Sequence, residues 1–270
     1  MDTRDGLDEA RTAVRAVGDH PLLEGLARIG FAVSGLLHIV IGYTVGRVAW
    51  GSGGGQADQS GALATLSSNP AGTVLMWIIV VGLLALALWQ LTVAFAPPSG
   101  GGGFVDRVKA LGKAGMYTVL GYTAFQFARG SGSSSSSEQS SQDVSATLMK
   151  QPAGQVLVGG LGVAILLVGG YHVYKGLSRR FLEDLEEHPG RWASGLGMIG
   201  YPAKGAVLAL VGLFFVIAAV QHQSSEAAGL DGALMSLRDE PFGPYLLTAV
   251  AIGFIAFGLY CFARARHQRI

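Results

Sequence analysis

GALATLSSNPAG (61–72), DVSATLMKQPAG (143–154) and GALMSLRDEPFG (232–243) align without a gap. Leu66, Leu148 and Leu237 stand four residues before Pro70, Pro152 and Pro241, and two residues after each proline comes a glycine, Gly72, Gly154 or Gly243. Nineteen residues beyond each proline is an aromatic side chain, Trp89, Tyr171 or Tyr260, followed by Gln90, His172 or Cys261. Self-similarity at a constant offset marks one structural unit used three times. Upstream, RIGFAVSG (28–35) matches MIGYPAKG (198–205), while the middle copy, around RVKALGKAGMY (107–117), has drifted.

Each motif opens a long apolar run. A run of about 20 apolar residues crosses a ~30 Å hydrocarbon layer as a helix, because a helix satisfies its own backbone there. Six such runs occur, at 28–49, 72–96, 109–129, 154–176, 198–221 and 243–263. The second and sixth carry no charge, whereas Lys109 and Lys113 enter the first turns of the third, where long basic side chains can snorkel. The expectation is an all-α membrane protein of six transmembrane helices. They form three tandem hairpins over 26–97, 105–180 and 195–265, behind an N-terminal segment at 1–25. Two-span units share one orientation, so they relate by an axis along the membrane normal, which predicts a pseudo-threefold bundle.

The motif also reads locally. Proline has no amide hydrogen to lose at a first helical turn, so it suits the start of spans two, four and six, with Ser67 and Ser68 available as caps. Leu63 with Leu66 and Leu234 with Leu237, at i and i+3, put an apolar edge on a brief helix; three of these are expected to roof the bundle. Trp89, Tyr171 and Tyr260 suit an interfacial aromatic belt at the opposite ends. Small residues at i and i+4, Gly42 with Gly46, Gly160 with Ala164, Gly205 with Ala209 and Ala249 with Gly253, predict close helix packing.

An even number of spans puts both termini on one face, and that face holds 15 of the 19 Lys and Arg; only Arg47, Arg129, Lys150 and Arg238 fall in the opposite loops. The positive-inside rule makes the basic face cytoplasmic, giving a multi-pass protein of the cytoplasmic membrane. The opposite loops GSGGGQADQSG (51–61) and GSGSSSSSEQSSQD (130–143) read as flexible polar linkers without chemistry.

Composition agrees. Of 270 residues 50% are apolar and 14% charged, with a mean hydropathy of +0.43. Forty-one glycines without a G-x-y period exclude collagen, and the apolar half excludes global disorder. A net charge of +1 gives no support to nucleic-acid binding. The lone Cys261 has no disulfide partner and reads as a small buried apolar residue. Residues 1–25 mix both signs of charge, unlike a secretory signal.

The element G-A-L-x-[TS]-L-x-x-x-P-x-G, present three times, each before an apolar span that ends in an aromatic–polar pair, resembles the DUF1206 family. These are bacterial membrane proteins, frequent in actinobacteria, with this two-helix unit in triplicate. The resemblance covers about 24–265; the second copy departs, reading Asp143-Val144-Ser145 where the others read Gly-Ala-Leu. It implies fold and location and carries over no catalytic or binding residue.

The remaining candidates are few. His38 lies midway along the first span and His172 near the end of the fourth, so the pair is a candidate for cofactor binding as axial ligands of a b-type haem. The repeat argues for the simpler reading, histidines hydrogen-bonded to a neighbouring helix or reaching an interface, because Gln90 or Cys261 aligns with His172 and Tyr117 or Leu208 with His38. His222 adjoins an outer loop and reads as solvated. Gly195-Leu196-Gly197-Met198-Ile199-Gly200 matches G-x-G-x-x-G, but no βαβ context surrounds it, so small-residue packing is expected. Arg47 and Arg129 near the outer ends, with Arg28 and Lys204 near the inner ends, read as boundary anchors; the alternative is a ring of cations attracting anions or anionic lipid headgroups. FLEDLEEHPG (181–190) reads as a solvated acidic joint, or one that docks a basic partner.

No nucleophile elbow, zinc signature, P-loop, Cys/His cluster or intramembrane carboxylate pair is present, so no catalytic residue, metal site or cofactor is assigned. The expected function is a non-enzymatic accessory or scaffold subunit that binds membrane lipid or another membrane protein. The alternatives are a passive pore or small-solute transporter along the pseudo-threefold axis and, more remotely, a b-type haem redox protein.

Overall fold

Each unit folds as long helix, short helix, long helix. In a computed structural model, described over residues 21–51, 57–67, 70–95, 103–130, 137–151, 153–185 and 190–267, the first unit is α1 (Pro21–Ala49), α2 (Gln59–Ser67) and α3 (Pro70–Phe95). The second is α4 (Phe104–Ala128), α5 (Ser137–Met149) and α6 (Gly154–Leu177), and the third α7 (Arg191–Gln221), α8 (Leu230–Asp239) and α9 (Gly243–His267). A short 3₁₀ turn, Arg180–Asp184, lies between α6 and α7. Most of the N-terminal segment expected at 1–25, together with Ser68 and Pro152, lies outside the described residues.

Among the described residues five helices, α1, α3, α6, α7 and α9, are long and apolar enough to cross a membrane. The 25-residue α4 is long enough but not apolar enough, since Asp106, Arg107, Lys109 and Lys113 crowd its first turns. It nevertheless lies along α3.

The most extensive contacts join the second long helix of one unit to the first of the next: α3 to α4, α6 to α7, and α9 back to α1. All three use the same positions. Gly42, Gly121 and Gly212 sit seven residues after Gly35, Ala114 and Gly205. A Cβ on Gly42 would fall 2.8 Å from the Ala251 carbonyl oxygen, one on Gly212 2.5 Å from the Leu166 nitrogen, and one on Gly121 3.2 Å from the Leu84 side chain. Small residues thus let backbones approach, and dispersion contacts replace the hydrophobic drive that lipid removes. The second long helix of each unit thus packs on the first long helix of the next, and the third unit's packs back on α1.

Within units the contacts differ. α1 packs on α3 and α7 on α9, but α4 and α6 make no comparable contact. Accordingly Gly42, Gly46, Gly205 and Ala209 pack closely as expected, whereas nothing lies within 4 Å of a Cβ on Gly160, and Ala164 and Ala249 are exposed.

The short helices form the roof. Leu63 and Leu234 are buried at 2% and 0% exposure, with Leu66, Leu148 and Leu237 packed beside the same cores. The loop at 51–61 is partly structural rather than a plain linker: Asp58 is buried and accepts the Gly61 amide at 2.9 Å as an N-cap of α2, and Asp231 accepts the Ala57 amide at 2.7 Å, tying unit three to unit one. Pro70 opens α3 as expected, but Ser67 donates its hydroxyl to the Ala64 carbonyl at 3.1 Å instead of capping it. The repeated glycines have a steric reason. The amides of Gly154 and Gly243 bond the carbonyls of Gln151 and Glu240 at 2.9 and 2.8 Å, and a Cβ on either would strike the Leu148 or Arg238 carbonyl; Gly72 is buried likewise.

Candidate functional site

At the end opposite the roof, four cations converge from four helices: Lys113 of α4, Lys175 of α6, Lys204 of α7 and Arg264 of α9. Lys113 lies within electrostatic reach of Lys175, Arg264 and Asp184, and Lys204 within reach of Arg264. Among the described residues a carboxylate of the joint meets them. Asp184, at the end of the 3₁₀ turn, accepts from Lys175 Nζ at 2.6 Å and lies 3.9 Å from Arg264 Nη2. Lys175, Lys204 and Arg264 are partly buried and Lys113 is exposed.

The repeat positions these cations. Lys113 and Lys204 stand immediately before Ala114 and Gly205, at the place where α1 carries Ser34. Lys175 and Arg264 stand four residues after Tyr171 and Tyr260, where α3 carries Val93. Units two and three supply the charge and unit one supplies none, so a symmetric scaffold holds an asymmetric site.

Aromatic rings floor it. Lys204 Nζ lies 4.3 Å from the Phe257 ring centroid, the Arg264 guanidinium 4.6 Å from Phe31, and Lys175 5.7 Å from Tyr201. Such ring faces stabilise cations that have lost water. Tyr201 and Phe257 meet edge to face at 5.1 Å. Phe181, fully buried, enters from the joint, stacks on Tyr201 at 5.3 Å and meets Tyr260 at 5.2 Å, while Tyr260 donates its hydroxyl to the Phe181 carbonyl at 3.2 Å. In the described part of the joint, Phe181 and Leu185 plug the core between α7 and α9 and Asp184 is ion-paired, while Glu183 is exposed as expected of an acidic joint; residues 186–189 lie outside the described residues. The plug weighs against an open pore at this end.

His38 and His172 both border this floor. His38 Nδ1 donates to the Ser34 carbonyl at 2.7 Å and His172 Nδ1 to Val168 at 2.8 Å, each four residues back on its own helix rather than on a neighbour. Their rings are joined by protein: His38 to Phe257 at 4.8 Å, Phe257 to Tyr201 at 5.1 Å and Tyr201 to His172 at 5.8 Å. Side chains therefore fill the space a macrocycle between them would need.

Other expectations resolve individually. Tyr260 is fully buried and Trp89 packs edge-on against Phe31 at 5.8 Å, so of the three repeated aromatics only Tyr171, 49% exposed, has belt-like exposure. Gly197 and Gly200 lie inside α7 and pack against Phe181 and Phe257, which is packing and not a nucleotide loop. Arg47 and Arg129 stay at the roof end over Tyr43 and Phe125, consistent with anchors, while Lys204 joins the central cluster. His222 is exposed and Cys261 buried. The residues missed as a site were Lys113, Lys175 and Arg264; registering the repeats on one another would have paired Lys113 with Lys204 and Lys175 with Arg264.

Three tandem stretches, residues 29–96, 108–179 and 199–268, match the family described as Domain of Unknown Function (DUF1206). The chain is also similar to a Bacillus subtilis (strain 168) protein named Uncharacterized protein YxxB, 28% identical over 259 residues that cover 93% of each chain. That relative places similar chains outside actinobacteria. No solved structure matches.

Proposed function

The chain belongs to the DUF1206 family, and on that premise we propose that it is a non-enzymatic accessory protein of the cytoplasmic membrane that binds anionic lipid headgroups. Six helices span, α4 included, and both termini face the cytoplasm: α4, 25 residues long, lies along the 26-residue α3, and the basic residues are concentrated in the segments on one side of the spans. The observation that carries the reading is the gathering of Lys113, Lys175, Lys204 and Arg264 from four helices, with Lys175 and Arg264 both near Asp184. Basic pockets between spans at the cytoplasmic side suit acidic headgroups, with each cation worth about 1 kcal/mol near the surface. Its groups are cations and rings, without a paired nucleophile and base, which suits binding rather than turnover.

Lipids extracted from the full chain after purification in mild detergent test this. Enrichment of phosphatidylglycerol or another acidic lipid over its share of the source membrane is the expected result; lipid in membrane proportion, or none, contradicts it.

A further inference from the structure

Two of the cations belong to the repeat, and the carboxylate between them does not. Lys175 and Arg264 stand four residues after Tyr171 and Tyr260, at one position of two units, whereas Asp184 lies nine residues beyond Lys175 in the joint. The joint after α3 reads PPSGGGG (97–103) and the stretch after Arg264 reads ARHQRI (265–270), neither with an acid. The carboxylate is therefore an addition to a repeated pair of cations.

The joint holds it in place. Arg179 turns the chain at the end of α6 with a φ of +59°. The Leu182 and Leu185 amides then bond the Arg179 and Leu182 carbonyls at 3.0 and 3.2 Å, and Phe181 and Leu185 are buried on either side of Asp184. The Asp184 side chain is 28% exposed, against 14% for Lys175 and 18% for Arg264. Rotation about its own side-chain bonds therefore takes the carboxylate off the cations while Phe181 and Leu185 stay seated. Its fit is also unequal. Lys175 is met at hydrogen-bond distance, 2.6 Å, but Arg264 at 3.9 Å, an ion pair without a hydrogen bond. A phosphate carries more acceptor oxygens than a carboxylate, and arginine binds it through two parallel bonds, so one phosphate suits both cations where Asp184 bonds one.

We propose that Asp184 is a tethered occupant of the anion site, and that a lipid phosphate binds Lys175 and Arg264 by displacing it. A tethered group competes at an effective concentration of roughly millimolar or more. A weak or sparse anion therefore leaves the ion pair closed, and a phosphate concentrated at the membrane surface opens it. This rests on the headgroup reading of the cluster and adds the control of its occupancy.

The test separates contact from net charge. Full-chain protein in detergent is titrated with dioleoyl phosphatidylglycerol and, separately, with glycerol 1-phosphate, following binding by native mass spectrometry. Asp184→Asn and Asp184→Ser are expected to bind the lipid about fivefold more tightly, the effect of one cation released near the surface. Glu183→Gln removes the same charge from an exposed neighbour and leaves affinity within about twofold. Lys175→Gln weakens lipid binding about fivefold in the Asp184→Asn background and little in the wild type, where that cation must first be vacated. A gain for both probes shows that phosphate alone displaces Asp184, and a gain for the lipid alone shows that the acyl chains are required as well; either supports displacement. Equal gains in Asp184→Asn and Glu183→Gln, or a Lys175→Gln loss that is the same in both backgrounds, overturn displacement and leave the headgroup site standing. Wild type and Asp184→Asn that bind neither probe overturn the cluster reading itself.

Discussion

Lys175 Nζ and Asp184 Oδ2 lie 2.6 Å apart, and this pair ties the end of α6 to the joint that leads into α7. The carboxylate both stabilises the joint and occupies a cation that an anionic ligand would use. Asp184→Asn is therefore expected to have two opposite effects. Thermal unfolding without added lipid falls by about 1–2 kcal/mol through the lost charge-assisted bond, and affinity for phosphatidylglycerol rises about fivefold. Affinity that falls together with stability would place Asp184 on the ligand's side instead.

Phe181 is the plug. Its ring stacks on Tyr201 and fits against Gly197, so Phe181→Ala is expected to cost about 3–5 kcal/mol, as for other large-to-small changes in cores. Gly197→Ala, which drives a methyl into that ring, costs about 1–3 kcal/mol alone and less in the Phe181→Ala background, because the two residues touch. Additive losses in a double-mutant cycle would show that the ring does not depend on Gly197.

Two of the inter-unit crossings and one uncrowded glycine differ in what a methyl would meet. At Gly212 it meets the backbone of α6, at Gly121 the movable tip of Leu84, and at Gly160 open space. Alanine at these positions is expected to destabilise in that order, by about 2–3 kcal/mol, about 1 kcal/mol and less than about 0.5 kcal/mol. Detergent-solubilised thermal stability checks the order, and equal losses would contradict the cyclic packing.

Orientation is open to direct labelling. Wild-type Cys261 is buried, so single added cysteines dominate the signal. With a membrane-impermeant maleimide on intact cells, Gln223→Cys at the exposed roof end is expected to react, and exposed Glu183→Cys only after permeabilisation. The reverse pattern would invert the topology.

Much of this architecture was legible in the sequence because it is written three times. Repeated Pro-x-Gly motifs, apolar runs and basic joints each report a local constraint, and three copies reinforce one another. What escaped depends on differences between the copies. Lys109 looked like a snorkelling residue, and it stands where the other units have glycine, a difference visible only once the copies are registered on one another. Lys175 and Arg264 read as joint charges because nothing in a linear count brings α6 and α9 together. Phe181 sat among acids that suggested solvent, and only packing on Tyr201 and Gly197 shows why an aromatic is there.

The most direct measurement of the central claim is equilibrium binding of phosphatidylglycerol against phosphatidylcholine with the same acyl chains, to full-chain protein and to the Lys204→Gln/Arg264→Gln variant. The wild type is expected to prefer the acidic lipid by about tenfold or more, from several cations at about 1 kcal/mol each, and the variant to lose most of that preference while remaining folded. Equal affinity of the wild type for the two lipids, or a preference that survives loss of both cations, would contradict the account.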